Sequence, residues 1–160
     1  MVVGVISDTH GLLRPEAIDA LEGSELILHA GDVGDPEILR RLGEIAPVRC
    51  VRGNTDHGPF GASLPHTELV DLTGADGPWV YMVHDVDDLD IDPAGAGVSM
   101  VVYGHSHRPA ADLRDGVLFF NPGAAGHRRF SLPVTVGRVT VRDGEIDAEI
   151  LDLEARGPLR

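Results

Sequence analysis

Val2-Val3-Gly4-Val5-Ile6 is an unbroken apolar run near the start of the chain. A strand with one wet face alternates polar and apolar residues, so an unbroken run predicts a strand covered on both faces, as parallel strands are. The chain then repeats the arrangement. Residues 15–22 read as a helix, with Pro15 at its start and Gly23 just past its end. Leu26-Ile27-Leu28-His29-Ala30 is a second strand, Asp35-Pro36 opens a second helix as N-cap and first helical residue, and residues 48–51 are a third strand. Ile38, Leu39, Leu42 and Ile45 fall on one face of that second helix. A β-α-β-α-β opening predicts parallel strands joined by right-handed crossovers.

Beyond Gly53 the character changes to strands and turns. Strands are expected at 66–72, 79–83, 100–103, 117–120, 133–141 and 145–153, the last two joined by a turn at Arg142-Asp143-Gly144. Residues 85–97 are acidic and glycine-rich, with a weak short-helix signal. The chain past Glu154 is expected to be frayed. No repeat or linker interrupts residues 1–160, which are read as a single domain, a size that suits one hydrophobic core.

The composition is that of a globular chain, 42% apolar and 24% charged. Its formal charge is −13, and all 13 basic residues are arginine. Such an acidic surface repels phosphate backbones, so no nucleic-acid partner is expected. Cys50 is the sole cysteine and has no partner for an internal disulfide, which suits a reducing cytoplasmic location. Apolar runs reach only about five residues, so no membrane span is expected.

Particular side chains stand just past the strand ends. Asp8 and His10 follow the first strand, Asp32 the second and Asn54 the third. His84 ends strand 79–83, and His105 and His107 follow strand 100–103. In open α/β sheets ligands bind beyond the carboxyl ends of the strands, so these side chains are expected to converge. Neutral imidazole with carboxylate and no thiolate suits manganese, iron, zinc or nickel. His105-Ser106-His107, read as an extended segment, puts both imidazoles on one side. A carboxylate such as Asp32 can bridge two ions about 3.5–4 Å apart, which clamp the oxygens of an in-line displacement and lower the pKa of a shared water.

Asp8-Thr9-His10, Gly31-Asp32, Gly53-Asn54, His84 and Gly104-His105-Ser106-His107 stand in the order of the signature of the calcineurin-like metallophosphoesterases, which this chain resembles. The small, single-domain phosphodiesterase branch is the nearer likeness, through Asn121-Pro122-Gly123. That resemblance implies a four-layer α/β/β/α sandwich of two mixed sheets flanked by helices. It implies two divalent metal ions per chain, with manganese expected and nickel, iron, zinc or magnesium as alternatives. Asp8, His10, Asp32 and His107 would hold one ion, and Asp32, Asn54, His84 and His105 the other. It further implies hydrolysis of a small phosphate ester, most simply a diester, by a bridging hydroxide. Asn54, His84 and His105 would then help stabilise the charged transition state. Asn121 and Arg128 (or Arg129) are candidate substrate contacts, and homodimers or homotetramers occur in this branch. The alternatives are a phosphomonoesterase or nucleotide hydrolase on the same site, or a non-catalytic scaffold like the retromer-subunit branch, which has lost the ligand set.

Other residues read differently. His29 is either an orienting partner of the site or a satisfied edge histidine. His57 is a candidate proton donor, His66 and His127 are surface residues, Asp56 and Asp35 are turn and capping residues, and Cys50 is core. Two departures from the family pattern stand out. Thr55 occupies a position where many members carry histidine, and His84-Asp85-Val86 replaces a common His-Gly-His.

Overall fold

The computed structural model describes residues 1–159. Strands β1 (Val2–Ile6), β2 (Leu26–His29) and β3 (Val48–Cys50) alternate with helices α1 (Pro15–Leu21) and α2 (Pro36–Leu42), as the opening pattern predicts. A short helix α3 (Gly58–Ser63) precedes β4 (Thr67–Asp71), β5 (Trp79–Val83), β6 (Val98–Val102), β7 (Ala110–Arg114), β8 (Val117–Asn121), β9 (Thr135–Arg142), β10 (Glu145–Asp152) and β11 (Gly157–Pro158). One mixed sheet has six strands in the order β11-β10-β9-β1-β2-β3, and the other has five in the order β4-β5-β6-β8-β7. The parallel pairs are β1–β2 and β2–β3 in the first sheet, and β5–β6 and β6–β8 in the second.

The sheets pack face to face. Val3, Val5, Leu26 and Leu28 of the first meet Val80, Met82, Met100, Val102 and Phe120 of the second in one fully apolar cluster. The alternate residues Ile6 and Ile27 face outward into a second cluster with Ala17, Leu21, Ile38 and Leu42 of the helices. β1 and β2 are therefore covered on both faces, which is why their sequences do not alternate. β10 does alternate: Ile146, Ala148 and Ile150 pack against the inter-sheet core, and Glu145 and Glu149 face water. Strand β10 turns back from β9 through Asp143 and Gly144, both at positive φ, the type I′ geometry that Asp-Gly favours.

The fourth layer is thin. The outer face of the second sheet, with Tyr81, Val101 and Phe119, is covered by Val86, Leu89 and Ile91 around a 3₁₀ turn at Val86–Asp88. Elements missed by pattern are short or atypical. Gly-Pro-Phe-Gly-Ala-Ser is a poor helix sequence, and Ala-Ala-Asp-Leu-Arg is a poor strand sequence that becomes β7 only by pairing along β8. The chain beyond Glu154 is not frayed: Gly157 and Pro158 pair with Asp152 and Leu151. Among the described residues no helix is long and apolar enough to cross a membrane.

Candidate metal centre

The loops leaving β1, β2, β5 and β6 are laced together just past the sheet ends. Asp8 N–H donates to Gly31 O, His10 N–H to Asp32 O, and Gly104 N–H to His84 O, at 2.9–3.0 Å. Such close approach demands glycine. A Cβ at Gly53 would collide with Asp32, and one at Gly31 with His84 and the Gly53 backbone. The glycine beside Asp32 thus makes room for neighbouring protein. Asp8, His10, Asp32, His105 and His107 all have positive φ, between 44° and 64°. That region is sparsely populated by non-glycine residues and tends to be held at functional sites. It also corrects the extended reading of 105–107. Left-handed backbone at both histidines abolishes the two-residue alternation, and their imidazoles serve different clusters.

The first cluster is Asp8, His10 and His107. His107 Nε2 lies 3.3 Å and His10 Nε2 3.7 Å from Asp8 Oδ1, and the two nitrogens are 3.3 Å apart. Asp8 is fully buried. Its Oδ2 accepts from Ser7 Oγ (2.7 Å) and from the His105 N–H (3.1 Å). Its Oδ1 is buried without any hydrogen-bond partner, as is His107 Nδ1. Burial alone would raise the Asp8 carboxyl, but the facing imidazoles of His10 and His107 and the Ser7 hydroxyl outweigh it and hold the group well below the usual carboxylate range.

The second cluster centres on Asp32 and Asn54. Asp32 Oδ2 lies 3.3 Å from His84 Nε2 and 3.6 Å from His10 Nε2, so this one oxygen stands between the two clusters. Asn54 Oδ1 lies 3.0 Å from His84 Nε2 and 3.1 Å from His105 Nδ1. The other Asp32 oxygen accepts from Thr55 N–H at 2.8 Å. Burial would raise the Asp32 carboxyl, but His84 and Thr55 bring it down to about 2. His84 Nδ1 lies 2.7 Å from the Ala30 carbonyl, which can only accept, so Nδ1 carries hydrogen and Nε2 faces the cluster. Burial disfavours a charged His84, yet the facing Asp32 carboxylate raises its pKa.

These donor sets fit divalent cations. Buried carboxylate oxygens and imidazole nitrogens converge, and among the described residues one of the oxygens has no donor and no ammonium or guanidinium neutralises them. All the side chains expected to ligate are brought together.

The other candidates fall elsewhere. Asn121 is buried; its amide donates to Gly104 O and Ser106 Oγ and its Oδ1 accepts from Gly123 N–H, so it braces the His105–His107 loop. Arg128 is engaged with Glu154. His57 is exposed at the start of α3, and His66 and His127 are exposed too. His29 is wholly buried and no edge residue. Gly31 N–H donates to its Nδ1, so Nε2 carries the hydrogen and donates to Thr9 Oγ1, which itself donates to Val33 O. Burial lowers its pKa to about 4.

Asp56 is more than a turn residue. Its buried carboxylate accepts from Gly34 N–H (3.1 Å) and Gly53 N–H (2.9 Å), tying the Asp32 loop to the Asn54 loop. Only its spacing from Gly53-Asn54 could have hinted at this.

Residues 1–144 match the family model of the calcineurin-like phosphoesterase superfamily domain. A probable metallophosphoesterase of Methanothermobacter thermautotrophicus is 38% identical, covering 94% of this chain and 92% of its own. The structure of the Escherichia coli phosphoesterase YfcE aligns with TM-score 0.76 at 23% identity, covering all of this chain and 97% of the other. That of Entamoeba histolytica Vps29 complexed with Zn²⁺ aligns with TM-score 0.71 at 22% identity, over 96% and 99%. At those identities the two structures bear on fold alone.

Proposed function

The chain belongs to the calcineurin-like phosphoesterase superfamily, and on that premise we propose that it is a dinuclear metal-dependent phosphodiesterase acting on a small phosphate ester. Residues 1–160 would form one such domain, working in the cytoplasm. The observation that carries this reading is Asp32 Oδ2, which stands within 3.6 Å of His10 Nε2 and 3.3 Å of His84 Nε2, between two ligand clusters. Asp8, His10, Asp32 and His107 would hold one cation, and Asp32, Asn54, His84 and His105 the other. Bound there, divalent cations, manganese foremost, would supply Lewis-acid charge for the phosphoryl oxygens and a water of lowered pKa.

The protein's own part is preorganisation. Ser7 and the His105 N–H orient Asp8, Thr55 N–H orients Asp32, and the Ala30 carbonyl fixes the His84 tautomer. Asn54, His84 and His105 would act on the charge developing at the phosphoryl group through the cation they hold. Relatives of this chain include proteins named for phosphodiesterase activity, such as YfcE of Escherichia coli, 26% identical.

A scaffold role like that of Vps29 is the rival reading. A Vps29 has been solved with Zn²⁺, so metal binding alone does not separate the two. Turnover does. Purified protein supplied with Mn²⁺ should hydrolyse bis(p-nitrophenyl) phosphate faster than p-nitrophenyl phosphate, and Asp32→Ala should abolish both activities. Metal-loaded protein inert towards diesters and monoesters alike would overturn the enzymatic reading.

A further inference from the structure

A cleft of about 500 Å³ opens directly off the second ligand cluster, sharing Asn54, His84 and His105 with it. This volume suits the organic half of a small ester. The rest of its wall includes Arg52, His57, His66, Asp85, Asp88 and Asp90. The acidic stretch after His84, which plays no part in the ligand clusters, thus has a place. The 3₁₀ turn at Val86–Asp88 carries Asp88 to the cleft wall.

Among the described residues no arginine pairs with these carboxylates. Asp85 is partly engaged: its Oδ1 accepts from Asp87 N–H at 3.1 Å and its Oδ2 faces His105 Nε2 at 3.4 Å. Asp90 accepts from the Tyr81 hydroxyl, at 2.7 Å. Among the described residues the arginine ion pairs all lie elsewhere, on α2, between β3 and β4, within β7 and at Glu154. Arg52 Nε donates to the Asp56 carbonyl. Asp85, Asp88 and Asp90 against Arg52 leave the wall net negative, in a chain already at −13.

The phosphate of an ester belongs to the ligand clusters, so this wall meets the rest of the substrate. A second phosphate or a carboxylate lodged there would be repelled, and a cation would be attracted. We propose that the cleft selects phosphate esters whose organic half carries a cationic amine or quaternary ammonium group, and discriminates against polyphosphates and anionic esters. This inference rests on the phosphoesterase reading above.

Matched p-nitrophenyl diesters of choline, of its uncharged isostere 3,3-dimethylbutanol and of 3-hydroxypropionate test it with the manganese-loaded enzyme. The choline ester should have a kcat/KM about tenfold above the neutral isostere, with the carboxylate ester lowest. That ratio should shrink with added salt, and should fall towards one when Asp88→Asn and Asp90→Asn are combined. Equal turnover of choline and isostere esters, or a ratio unmoved in the double variant, would overturn the proposal while leaving the phosphoesterase reading standing. If none of the esters is turned over, the phosphoesterase reading fails. Calorimetry with phosphocholine and 3,3-dimethylbutyl phosphate then judges the cleft by itself. Tighter binding of phosphocholine, lost in the double variant, supports cation selection, and equal binding refutes it.

Discussion

The Nε2 atoms of His10 and His107 face one another at 3.3 Å, and the partnerless Oδ1 of Asp8 lies 3.7 and 3.3 Å from them. Two nitrogens and a buried carboxylate oxygen can share that space without repulsion only if a cation, or a proton, sits among them.

Metal content should therefore follow the two clusters. After loading with Mn²⁺, elemental analysis should find His107→Ala and His84→Ala each losing mainly one ion, and Asp32→Ala losing both. Two full-occupancy metals in the Asp32 variant would refute the shared-oxygen assignment.

Chelation should leave the fold intact, because the cores between and outside the sheets are apolar and independent of the ligands. Far-UV circular dichroism should persist after chelation. Restoring free metal to a hundredfold excess over Kd should add about 2.7 kcal/mol for each ion bound, or roughly 5–10 °C in Tm per ion. Collapse of the dichroism on adding chelator at room temperature would contradict this.

Asp56 ties Gly34 to Gly53, and so Asp32 to Asn54. Asp56→Ala leaves two backbone N–H groups without their acceptors, at a cost of about 1–3 kcal/mol each where water cannot reach them. Denaturant titration of the chelated protein should register that loss. Calorimetric Mn²⁺ affinity should fall with it, although Asp56 lies in neither ligand cluster. A variant of wild-type stability and affinity would show the tie to be unimportant.

His29 sets an acid limit on stability. The folded protein accepts its proton only near pH 4, against an ordinary value of 6.5. As pH falls through that window the unfolded chain binds the proton first. Stability is therefore full above 6.5 and declines towards 4, by about 3 kcal/mol. Asn at this position keeps an acceptor for Gly31 N–H without titrating. Chelated His29→Asn should thus show a shallower decline than chelated wild type between pH 6.5 and 4. Parallel curves would assign the acid sensitivity to other groups.

Leaving groups provide the kinetic test. Thr55 presents its N–H to Asp32 and offers no side-chain acid, whereas a well-placed acid contributes about 10²–10⁴-fold. Nitrophenyl diesters should accordingly be cleaved far faster than dialkyl phosphates. Thr55→His should raise the dialkyl rate by up to about 10²-fold and barely move the nitrophenyl rate. His57, exposed on the cleft wall, is the competing acid. If His57→Ala collapsed dialkyl turnover alone, the acid-free account would be wrong.

Much of the fold is written locally. Strands β1 and β2 are buried on both faces, so their hydrophobic runs carry their assignment unaided. Asp35 caps α2 through Glu37 N–H, as its position beside Pro36 indicates. The candidate ligands could be picked out because strand ends and ligand-type side chains coincide repeatedly along the chain. Short elements were not legible. The sequences of α3, β7 and β11 lack propensity or length: β7 and β11 exist because β8 and β10 supply hydrogen-bond partners, and α3 is held where Phe60 packs against the outer core.

What the sequence by itself determined is which side chains gather at one end of two sheets, since periodicity and residue chemistry are properties of the chain. Only the tertiary structure shows how the backbone sets them apart. Left-handed φ at His105 and His107 sends neighbouring imidazoles to different clusters, and the burial that leaves Asp8 Oδ1 without a partner arises only once the loops are packed. The structure likewise turned Asp56 from a turn residue into a tie, and the acidic stretch after His84 into a cleft wall. Hydrogen bonds and charge act through distance in space, and spacing along the chain does not encode that distance.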